Sequence, residues 1–131
     1  SSDVCSSDLA GQTGTLRLMS RGPANSGGAA GIHSPLTGAG TLNLVVNYVR
    51  DDLSGDWSAF TGLINVTGKA TSGDEMRINN NFGYSNAVIN LNDGVIMDRS
   101  FTADTVNDIG ALTGTSLAVV GPGNSSGARS T

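Results

Sequence analysis

Apolar and polar residues alternate in short bursts along this chain. The bursts are TLRLM (15–19), TLNLVVNYV (41–49), GLINVTG (62–68), EMRINN (75–80), AVINLNDGVIM (87–97), DTVNDIGAL (104–112) and SLAVVG (116–121). Alternation at a period of two marks strands with one buried face. Turn-forming residues separate them, in dipeptides and tripeptides such as TG, NDG and PGN. No window of a dozen residues has helical periodicity. DDLSGDWSAF (51–60) places Ser54 where a helix could start, but Gly55 and the short apolar run argue against one. The pattern predicts an all-β chain. Residues 10–37 hold a partial strand and a loop, because the run SRGPANSGGAAG (20–31) breaks the alternation.

One triplet recurs, with an asparagine between two aliphatics. It is Leu42-Asn43-Leu44, then Ile64-Asn65-Val66, then Ile89-Asn90-Leu91. Neighbours on a strand point to opposite faces. Each triplet therefore turns two aliphatics inward and one Asn outward. Leu42, Leu44, Ile64, Val66, Ile89 and Leu91 form the expected core stack. The outward Asn65 is expected to tolerate replacement by Thr at little cost. A recurrence in the low twenties matches one coil of a β-solenoid, in which each coil packs on the one before. An antiparallel β-sandwich is the competing architecture, since the same turn signals suit hairpins.

The stretch GAGTLNLVVNYVRDDLSGDWSAFTGLINVTG (38–68) resembles the repeats of autotransporter-associated and related large bacterial surface proteins. The resemblance rests on a Gly-initiated strand, GAGTLNL, and on an aromatic-x-Gly step, Phe60-Thr61-Gly62. An apolar-x-apolar strand with Ile64 and Val66, ending at Gly68, completes it. Similar stretches accompany secreted pectate-lyase-like enzymes. The resemblance covers about 38–121, with 69–75 and 98–105 interrupting the repeat. It implies a right-handed parallel β-helix of about four coils on an exported protein, with 122–131 as a polar tail or the start of a further coil. It does not imply catalysis. The expected role is a stalk or scaffold in a larger bacterial cell-surface protein, extracellular and not an enzyme. The alternatives are a non-catalytic accessory module of a polysaccharide-degrading enzyme, or an adhesin face that binds glycans. The expected partners are neighbouring coils of the parent chain and, in second place, a polysaccharide.

Composition changes this picture at one end. The first nine residues, SSDVCSSDL, include the only cysteine, Cys5, and have no apolar periodicity. In one reading frame the tail of a common sequencing-library adapter translates to these nine residues. They are read as non-native and set aside from fold reasoning, with the chain expected to be a piece of a longer protein assembled from environmental DNA. The remainder has seven Lys or Arg against nine Asp or Glu, a formal charge of −2. Nucleic acid is not an expected partner, because phosphate binding needs a basic stripe. No apolar run is long enough to insert in a membrane. The 19 glycines are about twice the usual share, and Asn, Ser and Thr supply most of the polarity. That mix suits an extended, exported β protein.

Candidate chemistry is sparse. Asp51, Asp52 and Asp56 cluster near Arg50, where a calcium or uronate site is one reading, but solvated charges in a turn between coils are the preferred one. Asp74, Glu75, Asp104 and Asp108 read as turn charges. His33 has no second His or Cys to complete a zinc site. Arg77 and Arg99 could serve as the base of a lyase, but Arg77 is expected to project outward beside an acid of the next coil. No metal, cofactor or catalytic residue is assigned. Among the aromatics Tyr48, Trp57, Phe60, Phe82 and Tyr84, glycan contact is the second reading, with Trp57, Phe82 and Tyr84 as its candidates. NNNFGYSN (79–86) sets the last two among Asn side chains. The preferred role for Trp57 and Phe60 is to fill a core corner, as large rings usually do. NVT (65–67) and NSS (124–126) match the N-glycosylation pattern and are read as incidental. Deleting residues 1–9 is expected to leave the thermal midpoint unchanged, and a drop of several degrees would place Val4 or Leu9 in the core.

Overall fold

The computed structural model describes residues 11–19, 32, 34–47, 49–53, 55–68, 74–78, 84–99 and 108–121. Among them lie nine strands and no helix. They are β1 (Thr13–Met19), β2 (Thr41–Asn47), β3 (Val49–Leu53), β4 (Leu63–Gly68) and β5 (Asp74–Ile78). Then come β6 (Tyr84–Leu91), β7 (Val95–Arg99), β8 (Ile109–Gly114) and β9 (Val119–Gly121). One sheet has the order β1-β2-β4-β6-β8 and the other β3-β5-β7-β9. Every strand pairing in both sheets is parallel.

From β2 onward the chain visits the two sheets alternately. That overturns the antiparallel β-sandwich. A hairpin would join strands that pair with each other, yet the NDG signal at 92–94 joins β6 to β7, which belong to different sheets. It is a corner, closed by the Val95 N–H donating to the Asn92 carbonyl at 3.2 Å. Gly94 takes a φ of 80° there, a region open to glycine. The next corner, Thr115 to Ala118, has the same i to i+3 bond at 3.1 Å.

Register aligns the triplets. Leu42, Ile64 and Ile89 are successive partners, as are Leu44, Val66 and Leu91. All six are buried. The second sheet adds Met76 opposite Met97, both buried, and Val95. Alternating burial along β4 and β6 keeps one face of each strand in this core. β1 pairs with β2 over seven residues, so the sheet begins before residue 38.

The aromatic-x-Gly step has a steric cause. A Cβ on Gly62 would lie 2.0 Å from the Gly40 carbonyl oxygen and 2.7 Å from the Phe60 ring. Only glycine fits where these two passes of the chain touch. Leu63 then donates its N–H to Gly40 at 2.8 Å, which opens the β2–β4 ladder.

Some boundaries differ from expectation. The run 41–49 divides into β2 and β3, and 87–97 divides into β6 and β7. Asp51 and Asp52 lie on β3, and Asp74 and Glu75 on β5, rather than in turns. Pairing of β3 with β5, and of β5 with β7, supplies the missing preference; a strand's neighbours outweigh the weak propensity of its own residues. Truncating the buried Val66 to Ala is expected to cost about 1–3 kcal/mol, through lost burial and an unfilled cavity. Chemical denaturation checks this, and an unchanged midpoint would contradict the packing of this column.

Candidate functional site

The outer face of the first sheet gathers most of the described polar side chains with defined partners. The central residue of the triplet faces outward on each pass, flanked by two aliphatics on β2, β4 and β6 and by one leucine and one glycine on β1 and β8. In register these residues are Thr15, Asn43, Asn65, Asn90 and Thr113. Strands in a sheet lie about 4.8 Å apart, close enough for stacked carboxamides to bond.

They bond in one direction. Thr113 Oγ1 donates to Asn90 Oδ1 at 3.0 Å, Asn90 Nδ2 to Asn65 Oδ1 at 2.7 Å, and Asn65 Nδ2 to Asn43 Oδ1 at 3.2 Å. Each donor thus reaches the previous pass of the chain, and the dipoles align. Such chains strengthen cooperatively. Asn92, from the β6–β7 corner, also donates to Asn65 Oδ1 at 3.0 Å and to the Val66 carbonyl at 2.7 Å. Asn65 is therefore the central rung of a ladder rather than a free outward polar residue. The sequence showed the recurring Asn; it did not show that Asn92, Thr113 and the three Asn residues bond to one another. Polar residues at one offset in successive repeats were the available signal.

The ladder itself offers amides and hydroxyls, and the exposed Arg17, register partner of Val45, lies beside it on the same face. Amides and hydroxyls are neither acids nor bases at neutral pH, so the ladder's chemistry is hydrogen bonding. On one side of the ladder the aligned residues are Thr13, Thr41, Leu63, Val88 and Ala111.

Trp57 and Phe60 are core residues, the role preferred for them from sequence, and the glycan-contact reading is corrected for Trp57 and Tyr84. Trp57 and Tyr84 are 1% and 0% exposed, which rules out glycan stacking by either ring. They meet edge to face with centroids 5.7 Å apart, and Phe60 is buried beside them in the same core. Large rings pack inside because they bring the most apolar area, and the indole N–H finds a partner. Here Trp57 Nε1 donates to the Ser34 carbonyl at 3.2 Å. Phe82 and Tyr48 lie outside the described residues, as do His33, Asp104, Cys5 and the NSS of 124–126. Asn65 of the NVT match has its carboxamide engaged in the ladder.

The charged candidates do not form a described cluster. Arg50, Asp51 and Asp52 follow one another on β3, whereas Asp56 lies in the following turn. Asp56 Oδ1 accepts from the Ser58 hydroxyl at 2.6 Å and from its N–H at 3.0 Å. Those two bonds hold its carboxyl below the ordinary value. The sign is that of a depressed acid: its stabilising effect is present above the unfolded pKa and is lost as pH falls through the folded one. Arg77 is the register partner of Asp98, and Arg99 that of Ile78. Asp108 is exposed just before β8. Among the described residues no three His, Cys, Asp or Glu side chains group to hold a metal ion. No helix among them is long and apolar enough to cross a membrane.

Replacing Asn65 by Thr removes both the carbonyl that two amides share and the donor to Asn43. The structure reverses the mild expectation from sequence: about 1–2 kcal/mol should be lost, given a net worth of about 1 kcal/mol per hydrogen bond and partial replacement by water. Urea denaturation beside Thr67→Ser, a change outside the ladder's spine, tests it; equal small effects would show the ladder to be inert.

Comparison of the chain with protein-family models, with curated proteins and with solved structures finds no match.

Proposed function

We propose that this chain is a structural segment of a right-handed parallel β-helix, serving as stalk or scaffold in a larger secreted bacterial surface protein of autotransporter type. One observation carries the reading. Aliphatic residues and asparagines keep register from one pass of the chain to the next, so that side chains of both kinds bond chiefly to their own kind. An architecture of that sort spends its polar groups on holding itself together. Its natural partners are further coils of the parent chain, which would extend both sheets.

The sequence resemblance supplies the autotransporter part of this proposal and its extracellular setting. The second reading is a non-catalytic accessory module of a polysaccharide-degrading enzyme, which needs no catalytic groups of its own; a catalytic role for this chain would need more. Cleaving an acidic glycan by elimination needs a base at the α-proton and cations on the carboxylate. The ladder offers neutral amides instead. An adhesin role loses two of its three aromatic carriers, since Trp57 and Tyr84 are core residues.

The purified chain is expected neither to depolymerise polygalacturonate nor to bind calcium tightly. The assay follows absorbance of unsaturated product with and without added Ca²⁺, on protein checked for β structure by circular dichroism. Turnover that disappears in Arg77→Ala or Asp52→Ala would overturn the scaffold reading and favour the enzyme.

A further inference from the structure

The corner between β6 and β7 holds the chain's only Asp-Gly dipeptide, Asp93-Gly94, and the chain has no Asn-Gly. An aspartate before glycine can lose water to its own backbone: the Gly nitrogen attacks the Asp side-chain carbonyl, and a five-membered succinimide forms. A folded site resists when the carboxyl is bonded, when the amide N–H is bonded, or when a Cβ on the next residue crowds the attack. None of the three holds here. Asp93 is exposed. Among the described residues neither its carboxyl nor the Gly94 N–H has a hydrogen-bond partner. Gly94 brings no Cβ, and its φ of 80° lies in the region that favours glycine. Other side chains show the contrast. Asn65, Asn86, Asn90 and Asn92 each donate their amide to a protein acceptor, and the residues after them are Val66, Ala87, Leu91 and Asp93. Asp56 is held by Ser58 and precedes Trp57. The ladder guards its own carboxamides, while the corner beside it leaves one carboxyl unguarded.

We propose that Asp93-Gly94 is a site of spontaneous modification, at which the folded chain converts aspartate to isoaspartate and loosens the corner that supports the ladder. The step balances on the chain's own atoms. The Gly94 nitrogen forms a bond to Asp93 Cγ, and its proton leaves with the carboxyl hydroxyl as water. Water then opens the ring at either carbonyl. Attack at Cγ restores aspartate. Attack at the backbone carbonyl leaves the chain running through Cγ, with the free carboxyl on Cα. No oxidant, enzyme or cofactor takes part. The isoaspartyl link adds one backbone atom to the span closed by the Val95 N–H on the Asn92 carbonyl. Asn92 is also the corner residue whose amide bonds to Asn65 Oδ1 and to the Val66 carbonyl. Conversion therefore strains the corner and the ladder together, and stability declines as the chain ages. The inference is independent of the scaffold reading.

Ageing the full folded chain in warm, neutral buffer made with heavy-oxygen water tests it. Each ring opening inserts one heavy oxygen at residue 93, which peptide mapping by mass spectrometry locates. Because no local opening has to precede attack, isoaspartate should form at a rate within about tenfold of that in the short peptide LNDGVIM. Asp56 and Asp108 in the same digest should stay unlabelled. Asp93→Asn, which sheds ammonia in place of water, should convert faster to the same two products. Asp93→Ser should take up no label and keep the parent's circular dichroism, since the Asp93 side chain is exposed and unbonded. With ageing, the parent's thermal midpoint should fall while that of Asp93→Ser holds. Absence of isoaspartate at residue 93, conversion only after denaturation, or equal conversion at Asp56 and Asp108 overturns the proposal. A midpoint that falls equally in parent and Asp93→Ser, or in neither, overturns the link to the ladder.

Discussion

Parallel pairing in unbroken register is the constraint on which the rest depends. It places residues of successive passes about 4.8 Å apart along the sheet and repeats the same inside–outside order on each. Once β2 and β4 align Leu42 with Ile64 and Leu44 with Val66, the aliphatic column and the asparagine column follow together. A slip by one residue would expose every buried aliphatic and bury every Asn. The two columns therefore enforce the same register by opposite means. The inner one gains from removing apolar surface from water. The outer one gains from carboxamides that fit the strand spacing.

Spacing between passes is looser than register. Bonded ladder residues are 22, 25 and 23 positions apart in sequence, and β6 has an irregularity between Tyr84 and Val88 that β8 does not share. The corners absorb these differences. Where two corners touch, chain approach becomes strict, and glycine at 62 is the consequence. The aromatic residues settle at the same end. Trp57 and Tyr84 meet edge to face, and Asn86 Nδ2 ties β6 to this corner through the Ser58 carbonyl at 2.8 Å. Large rings thus fill the volume that short β-branched side chains leave at a bend.

A molecule built this way is quasi-one-dimensional: each pass is stabilised by its neighbours and by little else. Its ends differ from its middle for that reason alone. Val66 and Leu112 are both aliphatics on inward positions, yet one is fully buried and the other is half exposed, because among the described residues only the first has a strand on both sides.

Much of this was legible in the sequence. Period-two alternation fixed the strands of the triplets, and the recurrence of Asn43, Asn65 and Asn90 between aliphatics gave the inward and outward faces, because side-chain direction on a strand is a local property. The all-β class followed from the same alternation. Partner choice is not local. Whether NDG closes a hairpin or turns a corner depends on which strands pair, and Asp51 and Asp52, read as turn charges, lie on β3 because β5 pairs with it. The size of Trp57 and Phe60 pointed to a core corner, but the burial of Tyr84, a candidate sugar platform, was decided by volume at that corner, which no linear pattern describes. The ladder itself needed the third dimension: asparagines more than twenty residues apart bond only after parallel pairing has stacked them.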